Sequence, residues 1–134
     1  MNTPDPPSGE PYDWYQRGLE LLQAGSAGAA ALLLERAHRA EPEARSIREA
    51  LARAFFDLGR HDLAAHHFRY LIAADPVDDY AHYGLGLALW RSGDLEAARD
   101  VLAVATALAP DERYLSALRQ VRATLAARAE AAEE

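Results

Sequence analysis

Cysteine and lysine are both missing from this chain of 134 residues, and its only asparagine is Asn2. Without thiols there are no disulfides, no thiolate metal sites and no cysteine nucleophile, which is in keeping with a reducing compartment. Every basic residue is therefore an arginine, a bias that reads as codon usage rather than chemistry. The 14 arginines face 21 aspartates and glutamates, for a formal net charge of -7. That balance argues against nucleic acid, whose binders need a basic face to neutralise phosphate. No apolar run is long enough to cross a membrane. The first residues carry neither the basic start nor the hydrophobic stretch of a secretory leader, so the expected location is the cytoplasm. A Gly-rich phosphate loop and a nucleophile elbow are also lacking. Gly84-Leu85-Gly86 falls inside a helical pattern, where small residues permit close packing.

The histidines His38, His61, His66, His67 and His82 do not have ligand spacing. His61 and His66 are five apart, not the i, i+4 that places two imidazoles on one helical face. Asp62 and His66 have that spacing, but two residues are an incomplete site. The expectation is no metal, no cofactor and no catalysis. A clustered polar pocket around His66 or His82 would revive an enzyme reading.

What the chain does have is helix. Tyr80 to Pro110 reads as two amphipathic helices hinged at Ser92-Gly93-Asp94. Leu85, Leu89 and the small Gly86 share one side of the first. Leu95, Ala98, Leu102 and Ala105 recur at steps of three and four in the second, the spacing of one buried face. Asp94 is placed to cap the second helix, and Pro110 blocks its continuation. The same landmarks recur 34 residues apart: Gly25, Gly59 and Gly93; Pro42, Pro76 and Pro110; Gly18, Ala52 and Gly86; Ala30, Ala64 and Ala98. Leu34, Phe68 and Leu102 follow the same step, as do Ala37, Leu71 and Ala105.

A helix–turn–helix with this period is the mark of a tetratricopeptide repeat. Residues 11 to 112 resemble three such repeats, although only the first keeps the family's early tryptophan, Trp14; Arg48 and His82 stand at the equivalent sites. The resemblance implies an all-α fold, a right-handed α-solenoid of three helix–turn–helix units with a seventh capping helix. The expected divisions are a Pro-rich disordered tail at 1–10, repeats at 11–44, 45–78 and 79–112, a capping helix at 113–130 and a frayed acidic tail at 131–134. Helices are expected near 12–24, 27–40, 44–58, 61–74, 79–92, 95–108 and from Asp111 onward, with Ser26, Asp94 and Asp111 as N-caps. The last helix carries Arg119 and Gln120 where repeats two and three carry Leu51, Leu85, Ala52 and Gly86, as suits the polar outer face of a solenoid end.

The resemblance further implies that the first helix of each unit lines a concave groove. Residues one period apart there are Tyr12, Ser46, Tyr80 and Tyr114; Tyr15, Glu49, Tyr83 and Ala117; Leu19, Arg53, Leu87 and Val121; Leu22, Phe56, Trp90 and Thr124. This second apolar stripe is more than the fold needs. Tyr15, Tyr83, Phe56 and Trp90 stand where the family often places scaffold aromatics, which favours packing over binding at those four. Tyr12, Tyr80, Tyr114, Leu19 and Leu87 occupy sites the family leaves polar and variable, which favours binding. At Arg53 the plainer reading, a Glu49–Arg53 pair at i, i+4, is favoured over the alternative in which Arg53, with Arg91, receives a carboxylate from a bound peptide. Relatives that grip acidic chaperone tails use lysines and asparagines on these helices, and this chain has neither there.

The leading function is thus a protein-interaction adaptor that binds a peptide or protein segment in an aromatic-rich groove, with no nucleic-acid and no membrane partner. The second is a structural scaffold in which the same surface forms a homodimer.

Overall fold

The structure, a computed structural model, describes residues 9–134. Residues 1–8, and with them most of the expected tail, lie outside it. The described residues form seven α-helices and no strand, in two compact units divided between Gly59 and Arg60. That division falls inside the expected second repeat.

The first unit holds α1 (Pro11–Gln23), α2 (Ala27–Ala40) and α3 (Arg45–Asp57). Pro11 opens α1 at a position where its missing N–H costs nothing. The Glu10 amide donates to Asp13 Oδ2 at 3.0 Å. α2 packs on both α1 and α3, which also touch each other. The helices approach closely because Gly18 has no side chain: a Cβ there would lie 2.6 Å from Leu34 Cγ, and Leu34 is fully buried. Trp14 is half-buried beneath Arg36, whose Cζ lies 5.8 Å from the ring centroid.

The second unit holds α4 (His61–Ala74), α5 (Asp79–Arg91), α6 (Leu95–Leu108) and α7 (Glu112–Glu133). Consecutive helices pack in order, and α7 also reaches α5. The device of the first unit recurs: a Cβ on Gly86 of α5 would lie 2.6 Å from Leu102 Cγ of α6. A Cβ on Gly84 would overlap the Phe68 ring of α4. The turns after α1, α3 and α5 are closed by Gly25, Gly59 and Gly93 at φ +80, +78 and +91, backbone that other residues rarely adopt.

Caps and ends depart from expectation in three places. Asp94 and Asp111 accept from the amides of Ala97 and Arg113, but Ser26 makes no cap bond. Asp78 caps α5 instead, accepting from the Ala81 amide at 3.0 Å. Finally, α7 does not fray at 131 but stays helical to Glu133. No proline or glycine follows Pro110, and the closing alanines and glutamates are strong helix formers. Arg119 and Gln120 are exposed, while Tyr114, Ala117, Leu118 and Val121 are buried.

Candidate functional site

Five of the ten expected groove residues, Tyr12, Tyr15, Leu19, Arg53 and Phe56, belong to the first unit. Tyr12 is 66% exposed at the start of α1, and the other four are half-buried. The second unit holds Tyr80, Tyr83, Leu87, Trp90 and Tyr114. Tyr80, Tyr83, Leu87 and Trp90 are half-buried along α5, with Arg91 Cζ 5.9 Å from the Trp90 ring centroid.

Three tyrosines come together. Tyr80 and Tyr83 are one turn apart on α5, their centroids separated by 6.1 Å, and Tyr83 lies 4.7 Å from Tyr114 at 31°. Below them Phe68 meets Tyr80 edge to face, at 6.3 Å and 84°. Such offset and T-shaped pairs are the arrangements aromatic quadrupoles prefer.

Tyr114 corrects the sequence reading. It shares a register with Tyr12 and Tyr80, yet it is 1% exposed and offers no face to a partner. Its hydroxyl donates to Asp79 Oδ2 at 2.6 Å, tying the first turn of α7 to the first residue of α5. It is a prop that fixes Tyr83, not a contact.

Burial, and then this hydrogen bond to a carboxylate, push the Tyr114 phenol well above the ordinary tyrosine range. A raised pKa in the folded state means full stability below about pH 10 and a loss as the unfolded chain begins to ionise above it. Ultraviolet titration is therefore expected to show a late phenol ionisation, coincident with unfolding. Tyr114→Phe should abolish that late step, and a titration curve unchanged by Tyr114→Phe would contradict the buried hydrogen bond.

Arg113 was not anticipated. It lies one residue off the tyrosine register, but its long stem carries the guanidinium back over the rings, with Cζ 5.9 Å from the Tyr80 centroid and 5.7 Å from that of Tyr83. Asp111 holds it there through Nε at 3.1 Å and Nη2 at 2.8 Å. This hydrogen bond lowers the Asp111 pKa and raises that of Arg113, so the pair stays charged at neutral pH. The only signal in the sequence was the nearness of Arg113 to Asp111 and Tyr114.

The histidines do not converge on a pocket. His66 and His67 rings meet edge to face at 5.1 Å, and His82 Nε2 lies 3.0 Å from the Pro76 carbonyl oxygen. Among the described residues no three His, Asp or Glu side chains could hold a metal ion, and no helix is long and apolar enough to cross a membrane.

Similar folds are found in solved structures. The Sgt2 TPR domain from Aspergillus fumigatus is 19% identical, with 96% of this chain and 87% of that one covered at a TM-score of 0.86. TTC0263, a thermophilic TPR protein of Thermus thermophilus, is 27% identical, with coverage of 90% and 69% and a TM-score of 0.77. The second TPR domain of human RPAP3, solved in complex with the HSP70 peptide SGPTIEEVD, is 18% identical, with coverage of 84% and 98% and a TM-score of 0.75. A search of curated proteins finds no match. The family model described as tetratricopeptide repeat matches residues 15–76 and, in an overlapping window, residues 50–113. With its helix pairs, its period and these matches, the chain belongs to the tetratricopeptide-repeat family, and its fold is the all-α solenoid class of that family.

Proposed function

We propose that this protein is a non-enzymatic adaptor that binds a peptide or protein segment on the aromatic face of α5. The observation that carries this reading is the pair Tyr80–Tyr83, which stays partly open to solvent although Phe68 and Tyr114 already hold it from beneath. A rigid aromatic surface of this kind loses little entropy on binding, and each ring adds a polar handle to a large apolar area. Leu87 and Trp90 extend the same helix. Tyr12, Tyr15, Leu19, Arg53 and Phe56 supply a second set of contacts on the first unit. The complex of the RPAP3 domain with its HSP70 peptide supports a peptide-binding reading at the level of the fold. Its acidic peptide does not transfer, because α1, α3 and α5 carry no lysine and no asparagine here.

The test compares wild type with Tyr80→Ala/Tyr83→Ala as bait for proteins, alongside circular dichroism and light-scattering mass over a dilution series. Wild type is expected to retain partners that the double variant loses at unchanged helicity. Unfolding of the variant would make the stripe core. A wild-type dimer that persists on dilution and dissociates in the variant would assign the surface to a second copy of the chain.

A further inference from the structure

Arg113 already places a cation on the proposed surface. Its Cζ lies 5.9, 5.7 and 5.7 Å from the centroids of Tyr80, Tyr83 and Tyr114, within the roughly 6 Å over which a ring face attracts a cation. Its donors, however, point to Asp111. The bidentate pair already neutralises much of its charge, so it attracts a second carboxylate less strongly, although its Nη1 donors remain. The cation on this face is therefore poorly suited to recognise an acidic tail, while the rings themselves accommodate a guanidinium.

The rim points the same way. Asp79 reaches the ring cluster through the Tyr114 hydroxyl and Asp111 through Arg113, while Asp75, Asp78 and Glu112 add acidic charge to the segments that lead into or open α5 and α7. Against these carboxylates stand Arg113 and Arg119, the latter 3.7 Å from Glu112. The Arg113 side chain is 62% exposed, so it can swing off the rings without disturbing the fold. Asp111 would still cap α7 through the Arg113 amide at 2.9 Å.

We propose that Arg113 occupies the place of an arginine from a partner protein, and that the Tyr80–Tyr83 surface with its carboxylate rim reads a basic, arginine-bearing segment. This rests on the aromatic-face reading above. The partner's guanidinium stacks on Tyr80 and Tyr83 as Arg113 swings aside, and the second oxygen of the Asp79 carboxylate has the capacity to receive it. Acidic surroundings strengthen this exchange and repel a carboxylate ligand.

The experiment titrates the isotope-labelled full chain by NMR with three blocked peptides of the same apolar frame: one with two arginines, one with citrulline in their place, and one with glutamate. The arginine peptide is expected to shift the Tyr80 and Tyr83 ring signals and the Arg113 Nε–H signal, to bind several-fold more tightly than the citrulline peptide, and to outcompete the glutamate peptide. Arg113→Ala removes the internal competitor and should raise affinity for the arginine peptide about two- to fivefold. Tyr80→Leu/Tyr83→Leu keeps apolar area but removes the ring faces, and should lower it. Equal binding of arginine and citrulline peptides, or an affinity unchanged or lowered in Arg113→Ala, overturns the proposal. Preference for the glutamate peptide at the same ring signals overturns it too, while leaving the aromatic face as a binding surface. If no peptide moves those signals, both readings fall.

Discussion

Phe68→Ala is expected to remove about 3–5 kcal/mol of stability, the usual loss when a buried aromatic side chain is cut back to a methyl. Against the roughly 5–15 kcal/mol that holds a typical domain together, that is a third or more of the total. The ring is 2% exposed on α4, it fills the space that Gly84 leaves on α5, and it stands edge-on beneath Tyr80. Removing it opens a cavity that neighbouring backbone cannot collapse to fill, so the lost contacts add to the lost burial. The consequence for function is direct, since Tyr80 loses the ring that orients it. Urea unfolding should show a large fall in midpoint at nearly constant slope, and the Tyr80 ring signals should broaden or move. A loss below about 1 kcal/mol would mean that the ring is not packed as described.

Much of this architecture was legible because the repeat enforces it. Six helices begin and end within a residue of the bounds that proline, glycine and apolar spacing set. The small-residue register picked out Gly18 and Gly86, the very positions where Leu34 and Leu102 allow no Cβ. What the register could not supply was the fate of individual large side chains. Tyr80 and Tyr114 occupy one register position, yet one is half open and the other is sealed against Tyr83 with its hydroxyl on Asp79. Periodicity says which face of a helix a residue shares. It does not say how a ring divides its surface between a neighbouring helix and water. Arg113 escaped for a related reason: it is off the stripe by one residue, and only its rotamer, fixed by Asp111, returns its charge to the rings.

The caps show a similar limit. Ser26 has the right chemistry before α2 but makes no side-chain cap bond, whereas Asp78, which the sequence reading did not single out, takes the Ala81 amide. Composition names the residues able to cap. Local backbone geometry chooses among them.

Gly86→Leu is the second large effect, an expected loss of at least about 3 kcal/mol and a strong candidate to abolish folding of the second unit. Even a methyl at this position would lie 2.6 Å from two carbons of Leu102, whose side chain is fully buried and has nowhere to retreat. The decisive form of the prediction is a reversal of sign. In the wild-type chain Gly86→Ala should destabilise, because overpacking costs about 1–3 kcal/mol and exceeds the roughly 1 kcal/mol that alanine gains over glycine inside a helix. In a Leu102→Ala background, itself about 2–5 kcal/mol less stable, the obstructing atoms are gone. The same Gly86→Ala change should then stabilise, through helix propensity and by filling part of the void. The difference between the two backgrounds, measured as a double-mutant cycle by chemical denaturation, is the coupling of α5 to α6 at this contact and should fall within about 0.5–3 kcal/mol. Gly18 and Leu34 should repeat the pattern in the first unit, since a Cβ on Gly18 meets Leu34 at the same distance. Gly93→Ala serves as the control: it is strained by its φ of +91 but has nothing within 4 Å to collide with, so its cost should be the same in either Leu102 background. Equal effects of Gly86→Ala with and without Leu102 would mean that the two helices do not touch there, and the register that pairs Gly18 with Leu34 and Gly86 with Leu102 would lose its physical basis.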